Sequence, residues 1–357
     1  MYLPRTHWSI SFLSVVVIEA VVVLALEGYV FGKFEANINA NIDAEQRKNS
    51  NTGGIPTYLA LFIFAEVYKL VLSWDALRLK NTIQCIGICL FNTAVLVYAG
   101  IQYEQLKQAA EVLSALRLIS DSNSYVLDGE AWGDIMPFLI AVIAVIGFAG
   151  FVMAYITVKL YNEFGWSIYK QIGADLRMKQ RYLYFQIFIT LLKLDFFFFL
   201  GFTIQFIVIV LNTKDVEFGL TIAVIPATIL ILYLSQLSVR HELKYGTSLS
   251  IFFFFAGMAY FLFKLVRMYQ PSQSFKYVAA RKSLTVFAVI TLFLIVITII
   301  NIIICASNFD KGLKQYVVST SKRLRQRQAI NSPEKIELEE INSVSPLSPL
   351  KRRMTLD

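Results

Sequence analysis

The sequence has few of the residues on which catalytic and metal sites usually depend. Its 357 residues include only two histidines, His7 and His241, and three cysteines. The two histidines fall in different predicted loops, which excludes a His-rich metal cluster, an HExxH motif and an evident Ser-His-Asp arrangement. A glycine-rich phosphate loop is also missing, because Gly53-Gly54 is only a turn signal. We therefore expect no bound metal, no cofactor and no catalytic residues, and we do not expect an enzyme.

Charged residues are scarce as well. They make up 16% of the chain and hydrophobic residues 57%, whereas soluble domains have about 25% and about 45 to 50%. With a mean hydropathy of +0.59, this composition is typical of an integral membrane protein. The net charge of +8 lies mainly in the loops and the C-terminal tail, and no basic patch interleaved with aromatic residues is present in a soluble segment. We expect membrane lipids, and no nucleic acid, as partners.

Long apolar runs dominate what is present. A membrane-spanning helix needs about 20 mostly apolar residues, and eight segments meet that requirement. We predict an all-α fold, a polytopic transmembrane helical bundle over residues 1–307 with about eight helices. The predicted spans are residues 9–31, 57–77, 82–102, 135–160, 183–211, 218–237, 248–268 and 284–306. Seven spans is the alternative, in which the first segment is cleaved or lies flat on the membrane.

The connections between these segments predict the topology. The link between the second and third segments is so short that the two must form an antiparallel helical hairpin. With eight crossings, the most basic connections share one side of the membrane with both termini, and the positive-inside rule makes that side cytoplasmic. Three basic residues disagree, because Lys276, Arg281 and Lys282 fall on the opposite side. The sequence offers no explanation for them.

Residues 308–357 form a different kind of segment. They begin with a basic run, continue into an acidic patch and contain Ser-Pro pairs at Ser332, Ser345 and Ser348. The low apolar content predicts a disordered cytoplasmic tail, which we expect to bind cytosolic partners or kinases. The basic run either sets the topology or holds anionic lipid, at about 1 kcal/mol per residue near the surface. We favour the first explanation.

Ionisable residues inside the predicted spans are the candidate functional residues. Lys193 and Asp195 lie near the middle of the fifth span, where a charge costs roughly 2.5 to 3.5 kcal/mol on insertion scales. They are two residues apart, so they point to nearly opposite faces of a helix and cannot simply neutralise each other. Each therefore needs a partner on another helix.

The second span offers the complementary charges. Glu66 and Lys69 are three residues apart, so they share a helix face and partly neutralise each other. Their depth in the bilayer overlaps with that of Lys193 and Asp195. We predict that the second and fifth segments are neighbours, with Glu66 paired to Lys193 and Lys69 paired to Asp195.

Two hypotheses follow for these residues. The candidate intramembrane polar site consists of Glu66, Lys69, Lys193, Asp195 and Gln205, with Asn92 as a further candidate. On the first hypothesis the site lines a proton or ion pathway, or a polar substrate site, of a transporter or ion-coupled protein. On the second the ion pairs only lock the bundle of a receptor-like, sorting or scaffold protein. The first predicts a water-accessible cavity at the fifth span, and the second predicts that its charged groups are closed off and paired.

The fifth span also carries a family resemblance. Residues 191–202 read LLKLDFFFFLGF and are followed by Gln205. This LLKxDFFFFxGFxxQ pattern resembles the signature of a fungal family of uncharacterised multi-pass Golgi apparatus membrane proteins. The resemblance extends over most of the membrane part, and nothing after Ser307 matches. It implies a location in the Golgi or the endomembrane system, and no assigned reaction.

Overall fold

The computed structural model describes residues 6–37, 55–115, 130–172, 176–210, 216–270 and 281–311. These residues form eight long helices and no strand, which confirms the predicted all-α bundle. The helices are α1 (His7–Asn37), α2 (Ile55–Leu79), α3 (Thr82–Ala115), α4 (Glu130–Ile172), α5 (Leu176–Gln205), α6 (Val216–Arg240), α7 (Lys244–Tyr269) and α8 (Arg281–Ser307). A π-helical turn, Phe206–Val210, continues α5.

All eight helices belong to one compact unit, Leu3–Phe309. The other unit consists of Met1–Tyr2 and Asp310–Asp357, and only its residues 310 and 311 are among those described. The predicted disorder of residues 308–357 therefore lies outside the described residues from position 312 onward.

Each predicted span lies within one helix, apart from residue 211, which is outside the described part. Two helices are much longer than their predicted spans, because α3 has 34 residues and α4 has 43. A 43-residue helix is about 65 Å long, roughly twice the thickness of the hydrocarbon core of a bilayer. α4 therefore extends well beyond the apolar segment from which it was predicted.

Seven of the described helices are long and apolar enough to cross a membrane, and α2 is not among the seven. α2 carries Glu66, Lys69 and Asp75. It packs against α1, α3 and α5, so protein rather than lipid surrounds much of its surface. This placement explains how a helix with Glu66, Lys69 and Asp75 in its length and Arg78 in its last turn can belong to a membrane bundle.

The first segment is part of the bundle. α1 is one of the seven candidate spans and packs along α4 more extensively than any other pair of helices packs. Trp8 contacts Tyr155 near one end of this pair, and Tyr29 contacts Phe138 near the other. α1 is therefore a candidate span that packs along α4, and eight crossings, with seven as the alternative, stay a prediction.

Two tight turns join neighbouring helices. At the end of α2, Lys80 adopts a positive φ of 51°, and the amide of Asn81 donates to the carbonyl of Ala76 at 2.9 Å. This is the Schellman type of helix ending, in which a left-handed residue lets the chain reverse. Glu242, with φ 57°, closes α6 before α7 in the same way. The predicted antiparallel hairpin of α2 and α3 is confirmed.

α5 lies at the centre of the bundle. It packs against α2, α3, α6 and α8, and 67% of its most apolar window is buried, the largest share among the candidate spans. Phe197 stacks on Phe64 of α2 with ring centroids 5.1 Å apart. On another side, a Cβ atom added at Gly201 would lie only 2.5 Å from a ring carbon of Phe287. The absence of a side chain at Gly201 thus lets α8 approach α5 closely.

The outward faces of several helices are strongly apolar. Large side chains such as Phe151, Phe252 and Phe293 are exposed on α4, α7 and α8. A monomeric soluble protein rarely exposes so much contiguous apolar surface. In a bilayer the same surface faces lipid.

Candidate functional site

A cluster of charged side chains is buried among the first three helices. The ammonium group of Lys69 lies 2.9 Å from a carboxylate oxygen of Glu66, one turn earlier on α2. It also lies 2.9 Å from a carboxylate oxygen of Glu19 on α1 and donates to Oδ1 of Asn92 on α3 at 3.0 Å. The side chains of Lys69, Glu19 and Glu66 have no exposed surface. We call these four residues the Lys69 cluster.

The fourth helix completes the enclosure of the Lys69 cluster. The amide nitrogen of Asn92 donates to the backbone carbonyl of Ile146 on α4 at 3.0 Å. A Cβ atom added at Gly150, one turn further on, would lie 3.1 Å from that amide nitrogen. Asn92 is therefore held between the ammonium group and the α4 backbone, and α1 to α4 all contribute to the cluster.

Lys193 belongs to a second polar group, near the turn between α2 and α3. Its ammonium lies 2.5 Å from a carboxylate oxygen of Asp75 and donates to Oε1 of Gln84 at 2.9 Å. Gln84 in turn donates to the carbonyl of Leu72 at 2.8 Å. About a quarter of the Lys193 and Asp75 side chains is exposed. The predicted pair of Glu66 with Lys193 is wrong, because the long lysine side chain reaches Asp75 instead.

Asp195 faces a different helix. One of its carboxylate oxygens accepts a hydrogen bond from the hydroxyl of Thr298 on α8 at 2.7 Å, and the residue is 4% exposed. The predicted pair of Lys69 with Asp195 is therefore wrong as well. The opposite orientation of Lys193 and Asp195 is confirmed, because one side chain meets the α2–α3 hairpin and the other meets α8.

The predicted neighbourhood of the second and fifth segments is confirmed. The hydroxyl of Tyr68 on α2 donates to the backbone carbonyl of Lys193 on α5 at 2.6 Å. The two helices thus touch beside Lys193, but their charged side chains pair with residues of other helices or turns. The reason is rotational: the face of α2 that carries Glu66 and Lys69 is turned toward α1 and α3.

Gln205 lies apart from the other candidates, at the far end of α5. It is completely buried, and its side-chain oxygen accepts from the hydroxyl of Ser283 on α8 at 2.7 Å. The five predicted site residues therefore occupy four places, and only Glu66 and Lys69 share one. Among the residues that the structure describes, no three His, Cys, Asp or Glu side chains are grouped to hold a metal ion.

Four residues make polar contacts that were not predicted from the sequence. Glu19 and Asp75 supply the carboxylates that pair with Lys69 and Lys193, and Gln84 supports the second pair. Glu27, the fourth, is buried on α1 and accepts from the side-chain amide of Gln102 at 2.8 Å. The available signal was the same for all four, a polar residue inside or at the edge of an apolar run. The pattern alone contains no information on which helix lies opposite.

Comparison with known proteins identifies the family. No family model matches the chain, and no solved structure matches it. The chain is 37% identical over 327 residues to a UPF0658 Golgi apparatus membrane protein of Schizosaccharomyces pombe, and the match covers 88% of this chain and 90% of that protein. The predicted resemblance to a fungal family of uncharacterised Golgi proteins is confirmed. The chain belongs to the UPF0658 family and is a multi-pass Golgi apparatus membrane protein.

Proposed function

We propose that this protein is a proton-coupled membrane protein, of the transporter or ion-coupled class, in which the Lys69 cluster binds and releases a proton. The observation that carries the proposal is the composition of the cluster. Two carboxylates, from Glu19 and Glu66, share one ammonium group at 2.9 Å, and all three side chains are fully buried.

The charges of the Lys69 cluster do not balance when every group is ionised. Two negative charges then face one positive charge, which leaves an excess negative charge among fully buried side chains. An uncompensated buried charge costs several kcal/mol, so uptake of one proton stabilises the cluster. Within the described part of the chain, Oε1 of Glu19 is buried and accepts no hydrogen bond. A proton on this oxygen leaves the contact of Lys69 with the other oxygen intact.

Further carboxyl groups continue from the cluster along α1. Glu27 follows Glu19 by eight residues, about 12 Å along the axis. Six residues later Lys33 reaches the surface, where it pairs with the exposed Asp134 at 3.3 Å. Chains of acidic residues inside spans mark proton relays in pumps and transporters. The spacing is too long for direct transfer, so the relay requires water or side-chain motion between these groups.

Proton binding is tested by infrared titration of the purified full chain in lipid nanodiscs. We expect a carbonyl band from a protonated carboxyl group that changes with pH, and we expect Glu19→Gln and Glu66→Gln to remove that change. The matched control is Glu104→Gln, because Glu104 is a carboxylate of the same bundle that pairs with Lys282 on the exposed surface. A spectrum without this band, or a band that both cluster variants retain, would rule out the proposal.

Proton movement is tested separately in proteoliposomes that contain a pH-sensitive dye. Under an imposed membrane potential, we expect the wild-type chain to carry protons at least ten times faster than the Glu19→Gln variant. Elution of each variant as a single folded species is checked by size-exclusion chromatography. Proton binding without proton flux would leave the cluster as a protonated structural site and would remove the coupling from the proposal.

A second candidate is a receptor-like, sorting or scaffold protein in which the buried charges only fix the packing. The paired state of Lys193 and the enclosure of Asp195 favour it, since this hypothesis predicts that the groups are closed off. Buried ion pairs serve packing specificity in some proteins. On this candidate, deletion of residues 312–357 abolishes the cellular role by removing the contacts of the tail with cytosolic partners or kinases. On either candidate we propose a role that is not enzymatic.

A further inference from the structure

The ends of α7 and α8 form an open groove that faces outward. The groove has a volume of about 530 Å³ and is lined by Leu265, Val266, Tyr269, Gln270 and Thr285. The groove is shallow and open on its outer side, so a ligand there keeps part of its surface in contact with the surroundings. Most of the lining is aliphatic or aromatic. The polar groups are the side chain of Gln270 and, at the α8 side, the hydroxyls of Tyr269 and Thr285, which lie 3.0 Å apart.

A positive charge stands at the edge of this groove. The guanidinium carbon of Arg281, the first residue of α8, lies 5.9 Å from the centre of the Tyr269 ring. In the part of the chain that the structure describes, the contact of Arg281 is with this ring and not with a carboxylate. The next residue differs, because Lys282 forms an ion pair with Glu104 of α3. Arg281 thus presents its charge to whatever fills the groove.

The position of the groove along the helices indicates which kind of molecule it binds. It lies where α7 ends and α8 begins, which is the level at which tyrosine and arginine side chains of membrane proteins meet lipid headgroups. An acyl chain gains little free energy by moving from bulk lipid to the apolar wall of the groove, since both environments are hydrocarbon. Selectivity must therefore come from the headgroup, and an arginine recognises phosphate by charge-assisted hydrogen bonds.

We propose that this groove is a phospholipid site, with the lipid phosphate on Arg281 and one acyl chain along Leu265 and Val266. The site is independent of the proton-binding cluster. It also provides a reason for a basic residue that the positive-inside rule does not explain, because Arg281 serves a lipid contact rather than the topology. Lys282, its neighbour, is accounted for by Glu104.

The proposal is tested by native mass spectrometry of the full chain, released from detergent with defined lipids. We expect phosphatidylcholine to remain bound and a galactolipid with the same acyl chains, which lacks phosphate, to be lost. Arg281→Gln should reduce phosphatidylcholine retention at least about ten-fold, since a hydrogen bond to a charged group contributes about 1.5 kcal/mol or more. Arg281→Lys should keep most of the retention. The matched control is Lys159→Gln, because Lys159 also lies over a tyrosine ring, Tyr155, away from the groove.

A second variant blocks the groove sterically, which keeps the test decisive if Arg281→Gln also disturbs the fold. Val266 is exposed, so Val266→Trp fills the groove without touching the core and should also reduce retention. Inorganic phosphate added in place of lipid should not bind detectably, since it lacks the acyl chain. Equal retention of the galactolipid, strong binding of free phosphate, or normal retention by both Arg281→Gln and Val266→Trp would each overturn the proposal.

Discussion

Replacing Lys69 with methionine removes the ammonium group that Glu19, Glu66 and Asn92 share, while it keeps a side chain of similar length. The two carboxylates remain, fully buried and without their counter-charge. Removing one partner of a buried ion pair costs about 3 to 5 kcal/mol, because the remaining charge stays desolvated. Total stabilities of about 5 to 15 kcal/mol are usual, so we expect Lys69→Met to lose a large fraction of the stability of the bundle.

A neutral version of the cluster separates the cost of the unpaired charge from the value of the pairs. The triple variant Glu19→Met, Glu66→Met, Lys69→Met removes every charge and approximately preserves the volume. Replacing a complete buried ion-pair group by well-packed hydrophobic residues of similar volume is often neutral or stabilising. We therefore expect the triple variant to recover most of the stability that Lys69→Met loses, a non-additive result that is typical of residues in contact.

The measurement is the free energy of unfolding in mixed micelles titrated with sodium dodecyl sulfate and followed by tryptophan fluorescence. Lys282→Met is the matched control, because Lys282 also pairs with a carboxylate, that of Glu104, but at the surface. Exposed pairs contribute little, so this variant should unfold at nearly the wild-type midpoint. The reasoning is refuted if Lys69→Met is as stable as Lys282→Met, or if the triple variant is no more stable than Lys69→Met alone.

Two further predictions concern α5 and α8. Thr298→Val removes the hydroxyl that donates to Asp195 at 2.7 Å and should destabilise the bundle by about 1 to 3 kcal/mol, because a buried carboxyl oxygen loses its donor. Thr291→Val is the control: its buried hydroxyl donates to the backbone carbonyl of Phe287 on the same helix, and its loss should cost clearly less in the same titration. Gly201→Ala places a methyl group 2.5 Å from the Phe287 ring and should destabilise the bundle by about 1 to 3 kcal/mol through overpacking. Adding Phe287→Leu to this variant should recover part of the lost stability. An unchanged stability of Gly201→Ala would show that the two helices are loosely packed.

The positions of the helices were predictable from the sequence because the requirement behind them is local. About 20 apolar residues in succession are needed to cross a bilayer, and the described residues of each predicted segment lie in one helix, with the π-helical turn counted as part of α5. The lengths were less predictable. α3 and α4 continue through polar residues beyond their apolar parts, and polar residues that form good helices carry no hydropathy signal for the end of a helix.

The partners of the buried charges were not predictable in the same way. Lys193 and Asp195 were correctly expected to need partners on opposite sides, since 100° per residue is a property of any helix. Their actual partners, Asp75 and Thr298, are 118 and 103 positions away in the sequence. From its position along α2 alone, Glu66 was as reasonable a partner for Lys193 as Asp75. The rotation of α2 about its own axis excluded the pair of Glu66 with Lys193.

The sequence by itself therefore determined that this protein is a helical membrane bundle with charged residues that cannot face lipid, because hydrophobic length and desolvation cost are properties of individual segments. Only the tertiary structure decided that Glu19, Glu66, Lys69 and Asn92 form one enclosed cluster while Lys193, Asp195 and Gln205 lie elsewhere. The physical reason is that a few ångströms of side-chain reach and the rotation of each helix select the contacts. Neither quantity is encoded in the position of a residue along the chain.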